Sequence, residues 1–126
     1  MISREHNLIY GIGSANGDDQ LGWRVIEKIR GHLPNYWHVK SGLVPMDLLN
    51  HLEGIEELHI IDACESEEDV GTVYRLEWPK DQIQNNPVST SHDFSLSMTL
   101  ELATSLGILP KHVIVWGIVG RLFGPS

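Results

Sequence analysis

Sulfur chemistry is almost absent from this chain, whose single cysteine is Cys64. No intrachain disulfide can form and a cysteine-based zinc site is excluded, so any metal must be held by His, Asp or Glu. Positive charge is scarce as well: nine Lys and Arg stand against seventeen Asp and Glu, a formal charge of −8. No basic cluster offsets that balance, which argues against nucleic-acid or anionic-membrane binding. Such a surface leaves room for a basic protein partner or a cation. No apolar run approaches the length of a bilayer span, and Met1-Ile2-Ser3-Arg4-Glu5-His6 lacks the charged-then-apolar layout of a secretory leader. These absences predict a cytoplasmic protein without membrane insertion. Repeats, low-complexity tracts and a convincing linker are missing too. Residues 1–126 therefore read as one domain, able to bury one core but not two.

The apolar segments that are present alternate in kind. Asn7-Leu8-Ile9-Tyr10-Gly11-Ile12 is a short buried strand ending in glycines, and Leu21, Val25, Ile26 and Ile29 follow at helical spacing until Gly31. Tyr36-Trp37-His38-Val39 is a weaker strand. Pro45 fits the first turn of a helix bearing Met46, Leu48, Leu49 and Leu52. Leu58-His59-Ile60-Ile61 is a buried strand closed by Asp62, whereas Thr72 to Glu77 alternates like a half-exposed or edge strand. A polar, irregular stretch from Pro79 to Ser91 has the length of a functional loop. Phe94, Leu96, Leu100, Ala103 and Leu106 mark a long amphipathic helix that Gly107 and Pro110 end, and Val113 to Ile118 is the last strong strand. Strands alternating with helices predict an α/β fold: a three-layer αβα sandwich around a mostly parallel sheet.

In such sheets chemistry gathers at the carboxyl ends of strands. The glycine-rich turn from Gly11 to Gly17 invites a nucleotide-binding reading. Its spacing departs from G-x-G-x-x-G, and Asp18 and Asp19 stand where a pyrophosphate needs bare backbone donors. Either aspartate can simply cap the helix. Asp62, directly after an apolar strand, is either a turn residue or a carboxylate held for a purpose. His92 can be a capping or surface histidine. Together, two carboxylates and an imidazole make an O,O,N set suited to nickel, zinc or another divalent ion. Ser91-His92-Asp93 is not a triad, because neighbours in sequence do not supply triad geometry, and no G-x-S-x-G elbow occurs. Cys64, beside Ala63, reads as a small packed residue rather than a nucleophile.

The ordered set of these segments resembles the nickel-iron hydrogenase maturation endopeptidases over roughly residues 7 to 118. Gly11-Ile12-Gly13 with Asp18-Asp19-Gln20-Leu21-Gly22 is similar to the family's opening motif, and Ile60-Ile61-Asp62-Ala63 to its apolar strand followed by D-A. Ser91-His92, Leu106-Gly107-Ile108-Leu109-Pro110 and the strand ending in Gly117-Ile118 resemble its later regions. The resemblance implies removal of a C-terminal extension from the hydrogenase large-subunit precursor, which is the implied partner, by a monomeric enzyme. It implies that Asp19, Asp62 and His92 engage nickel carried by that precursor and share the catalytic role, with zinc or cadmium as substitutes in crystals. Gly13 and Gly42 fall in its substrate loops. The chain departs from the family at Ser14, where Asn is usual, at Lys40-Ser41-Gly42-Leu43, where only Gly42 matches a D-G-G-T-like segment, and in stopping without the usual C-terminal helix. Two alternatives accompany this reading: a non-catalytic relative that binds a metal-bearing partner, and a nucleotide-binding α/β protein.

Overall fold

The computed structural model describes residues 6–12, 37–42, 44–65, 69, 71–81, 89–90 and 93–119. Its strands are β1 (Asn7–Ile12), β2 (Trp37–Gly42), β3 (Glu57–Glu65), β4 (Val73–Trp78), β5 (Ser89–Thr90) and β6 (His112–Val119). A 3-10 helix spans Pro45–His51 and one α-helix, α1, spans Asp93–Leu106. The sheet runs β2-β1-β3-β6-β4, with β5 added to β3. The β1–β2, β1–β3 and β3–β6 pairs are parallel, while β4 joins β6 antiparallel. The expected mostly parallel α/β sheet is therefore present. The helix expected around Leu21 to Ile29 lies outside the described residues.

Period-two alternation divides each inner strand between two faces. Leu8, Tyr10 and Ile12 of β1, Leu58 and Ile60 of β3, and Val113 and Val115 of β6 share the main core. Leu96, Leu100 and Ala103 of α1 close over it, joined by Leu48 and Leu52 from the β2–β3 connection. Ile9 and Ile61 bury the opposite face, where Trp37, Val39, Trp116 and Ile118 pack around them. A sheet apolar on both faces explains why β1 and β3 read as continuous apolar runs. At the edge, β4 alternates as its sequence predicts: Leu76 and Trp78 are buried while Val73 is exposed.

The helix predicted after Pro45 forms, but as a 3-10 helix. With three residues per turn, Pro45, Leu48 and His51 fall on one line, and that line faces inward. Pro45 and Leu48 are buried, His51 sets its ring 5.9 Å from Tyr10, and Met46 is left 44% exposed. α1 stops where its sequence says it should. Gly107 takes a positive φ of 74°, its N–H donates to the Thr104 carbonyl, and the Ile108 N–H donates to the Ala103 carbonyl. This pair of bonds satisfies the last-turn carbonyls, and only glycine adopts the left-handed turn without strain.

Candidate functional site

Parallel pairing brings the carboxyl ends of β1, β2, β3 and β6 to one end of the sheet. Ile12 is level with Gly42, Gly11 with Ile61, and Asp62 with Gly117. Gly42, Ile12, Asp62 and Gly117 thus form a row across four strands. Asp62 is the charged member of that row and is 0% exposed. It continues the Leu58–Ile60 side of β3, the face that α1 covers. Beside it stands Gly117, itself buried and without a side chain.

The structure corrects the reading of Asp62 as the residue that closes its strand. β3 continues through Ala63 and Cys64 to Glu65. Two neighbours extend the ladder: β6 pairs Ala63 with Ile118 and Cys64 with Val119, and β5 pairs Cys64 with Thr90 and Glu65 with Ser89. Asp62 is therefore a residue within a strand, and the turn alternative falls. Desolvating a carboxylate inside a sheet is costly unless other groups engage it, and Asp62 is so engaged.

Of the other predicted site residues, Gly42 ends β2, whereas Asp19, His92 and Gly13 lie outside the described residues. Their described neighbours are informative. Ile12 ends β1 directly before Gly13, and Thr90 stands two positions before His92 while pairing with Cys64 near the end of β3. Among the described residues no group of three or more His, Cys, Asp or Glu side chains comes together. A cavity of about 290 Å³ between residues 52–55 and 107–109 lies at the opposite, amino-terminal end of the strands.

Two features escape sequence reasoning. The first is Tyr10, whose hydroxyl is buried without a hydrogen-bond partner and lies against Gly42. Burial, reinforced by the negative charge of Asp47, raises its pKa from 10.0 to about 12. The unfolded chain therefore gives up this proton first, so the stability it carries is intact below pH 10 and is lost as pH climbs through 12. Titration of tyrosinate absorbance should show one phenol ionising near pH 12, and Tyr10→Phe should remove that phase. Its persistence in the variant would disprove the assignment. A tyrosine inside an otherwise apolar strand was the available signal.

The second is His59 on the opposite face. Its Nδ1 accepts from Trp116 Nε1 at 2.9 Å and its Nε2 donates to Glu57 Oε1 at 2.8 Å. Both ring nitrogens are engaged and the ring lies between Trp37 and Trp116. This arrangement fixes the tautomer and leaves no lone pair for a metal.

A mostly parallel sheet with a buried carboxylate in the row at its carboxyl end defines an α/β protein of the open-sheet kind, a class in which sites gather at the carboxyl ends of the strands. Residues 23–123 match the sequence model of the family described as hydrogenase maturation protease. The chain belongs to that family, and is an endopeptidase of it. Solved structures show the same fold. An endopeptidase from Escherichia coli superposes with a TM-score of 0.78 at 23% identity, covering 95% of this chain and 78% of that one. The hydrogenase maturating endopeptidase HybD from E. coli gives 0.76 at 24% identity, covering 96% and 78%. The [NiFe] hydrogenase maturation protease HybD from Thermococcus kodakarensis gives 0.78 at 20% identity, covering 96% and 84%. No curated protein matches the chain. No described helix is long and apolar enough to cross a membrane.

Proposed function

We propose that this endopeptidase removes the C-terminal extension of a nickel-iron hydrogenase large-subunit precursor, and that nickel carried by the precursor is the element it recognises. The observation that carries the reading is Asp62, a carboxylate 0% exposed in the row at the sheet's carboxyl end. A carboxylate is a suitable oxygen donor to a divalent ion. Asp19 and His92 complete the donor set in this reading. Two carboxylates and one imidazole leave coordination positions for groups of the precursor itself, so the ion arrives with the substrate and holds the scissile segment beside the carboxylates. Asp62, kept from water, then orients that segment or takes a proton from the attacking water.

Incubation with nickel-loaded and nickel-free precursor tests this directly. Mass spectrometry should find the released C-terminal peptide only from the nickel-loaded form. Equal release from both would remove nickel recognition from the mechanism.

A further inference from the structure

The cavity at the amino-terminal end of the strands has a chemistry of its own, which the carboxylate row does not use. It opens where the connection into β3 meets the end of α1. About 17 Å of strand, from Glu57 to Asp62, separates it from that row. Its sides are aliphatic: Leu52 and Ile55 are buried, and Ile108 and Leu109 pack half-buried against the main core. Two glycine turns, at Gly54 and Gly107, complete the wall, and nothing lies within 4 Å of where a Cβ would stand at either. His6 Nδ1 donates to the Gly54 carbonyl at 3.3 Å and steadies the first of them. Leu106, beside Gly107, is 59% exposed. The charge around the cavity is negative. Glu53 is the charged side chain of the lining and is exposed, and Glu56 is exposed in the same connection. α1 ends here with no basic residue in its last turn, so the negative end of its dipole is not offset from within the helix. Four positions beyond Leu106 stands Pro110, which has no N–H to give the Leu106 carbonyl. Lys111 is the nearest Lys or Arg along the chain, and the two glutamates and the helix end outweigh it.

We infer that this cavity anchors an arginine side chain of a partner protein. Glu53 and the carboxyl end of α1 hold the guanidinium, and apolar residues beside that arginine rest on Leu106. Aliphatic walls with acceptors at the mouth match a side chain that has a long apolar stem and a cationic head. Arginine suits the mouth better than lysine, because its fixed fork of donors can engage a carboxylate and a carbonyl together. Size agrees. A volume of about 290 Å³ is at the small end for ligand pockets and takes one long side chain rather than a cofactor. Charge selects this occupant over a second copy of the chain, which at a formal −8 brings a mostly negative surface to a negative mouth. An arginine seated here lies clear of the Asp62 row, so the anchor and the chemistry occupy opposite ends of the sheet.

The test uses the full chain, labelled for amide NMR, and a pentapeptide blocked at both ends with arginine at its centre, leucine on either side and alanine at each end. A second peptide carries citrulline in place of arginine, which keeps the shape and removes the charge. The arginine peptide should move the Gly54, Gly107 and Ile108 amides saturably in the millimolar range. Citrulline should weaken that binding about fivefold, the scale of an exposed charge pair. Glu53→Gln, at an exposed position where the rest of the spectrum should stay in place, should weaken the arginine peptide by the same factor. On that variant the two peptides should bind alike, which ties the guanidinium to this one carboxylate. Absence of saturable shifts at these amides, equal affinity of the two peptides for the wild type, or an unchanged affinity of Glu53→Gln each overturns the inference. Shifts of the same amides on dilution, without peptide, assign the cavity to a second copy and overturn it as well. So do the same shifts in Arg4→Gln alone, which give the cavity to an arginine of this chain.

Discussion

Asp62→Asn should lower the rate of precursor processing about 10²- to 10⁴-fold while leaving the protein folded. Asparagine keeps the volume of the side chain, so a site that is 0% exposed is neither emptied nor overfilled, although one acceptor oxygen becomes an NH2 donor. What it loses is the charge. An amide oxygen is a far poorer ligand for a divalent ion than a carboxylate and has no useful basicity, so recognition and proton transfer suffer together. A purely structural Asp62 gives a different signature. Activity then falls only in proportion to the unfolded fraction, and a thermal melt accounts for all of it. The measurement is therefore a pair: peptide release from nickel-loaded precursor, and the melting temperature of the same preparation. Activity within about threefold of wild type, with an unchanged melt, would eliminate Asp62 from the chemistry.

Whether a feature was legible in the sequence depended on how far along the chain its cause lay. The strands at Asn7–Ile12 and His112–Val119 and the helix Asp93–Leu106 follow from local apolar runs and periodicity, and Gly107 ends the helix through bonds to residues within the preceding turn. The exposed alternation of β4 told its edge position correctly. The kind of helix after Pro45 was not legible. Four apolar residues in a stretch of seven or eight suit a three-residue or a four-residue step, and burial of the Pro45–Leu48–His51 line decides between them. Asp62 was recognised as a carboxylate at a strand's end from the apolar run before it. Its true setting inside the strand depends on pairing with β5 and β6, which the sequence places far downstream. β5, only Ser89 and Thr90, has no pattern of its own in a polar stretch. The Tyr10–Gly42 contact was hidden for the same reason, since it exists only once two strands are set in register.

That contact makes the other large prediction. Gly42→Ala should destabilise the protein by about 2–3 kcal/mol, an unusual cost for one methyl group at a partly exposed strand end. A Cβ at position 42 would overlap the Tyr10 hydroxyl oxygen and stand 2.9 Å from Cζ, closer than side-chain carbons tolerate. Tyr10 has little freedom to withdraw, being 0% exposed within the core beneath the 3-10 helix. The hydroxyl itself contributes little that would be missed. It has no hydrogen-bond partner, so Tyr10→Phe should be neutral or slightly stabilising. The two changes should therefore be strongly non-additive: Tyr10→Phe takes away the worst overlap and should restore about half of the stability lost in Gly42→Ala. The remainder persists because Cζ stays too near. Denaturant unfolding of the wild type, both single variants and the double variant closes this cycle. Additivity within about 0.5 kcal/mol would show that glycine is needed at position 42 for its backbone rather than for the ring packed against it. A coupling larger than that ties the end of β2 to a buried side chain of β1 in the next strand.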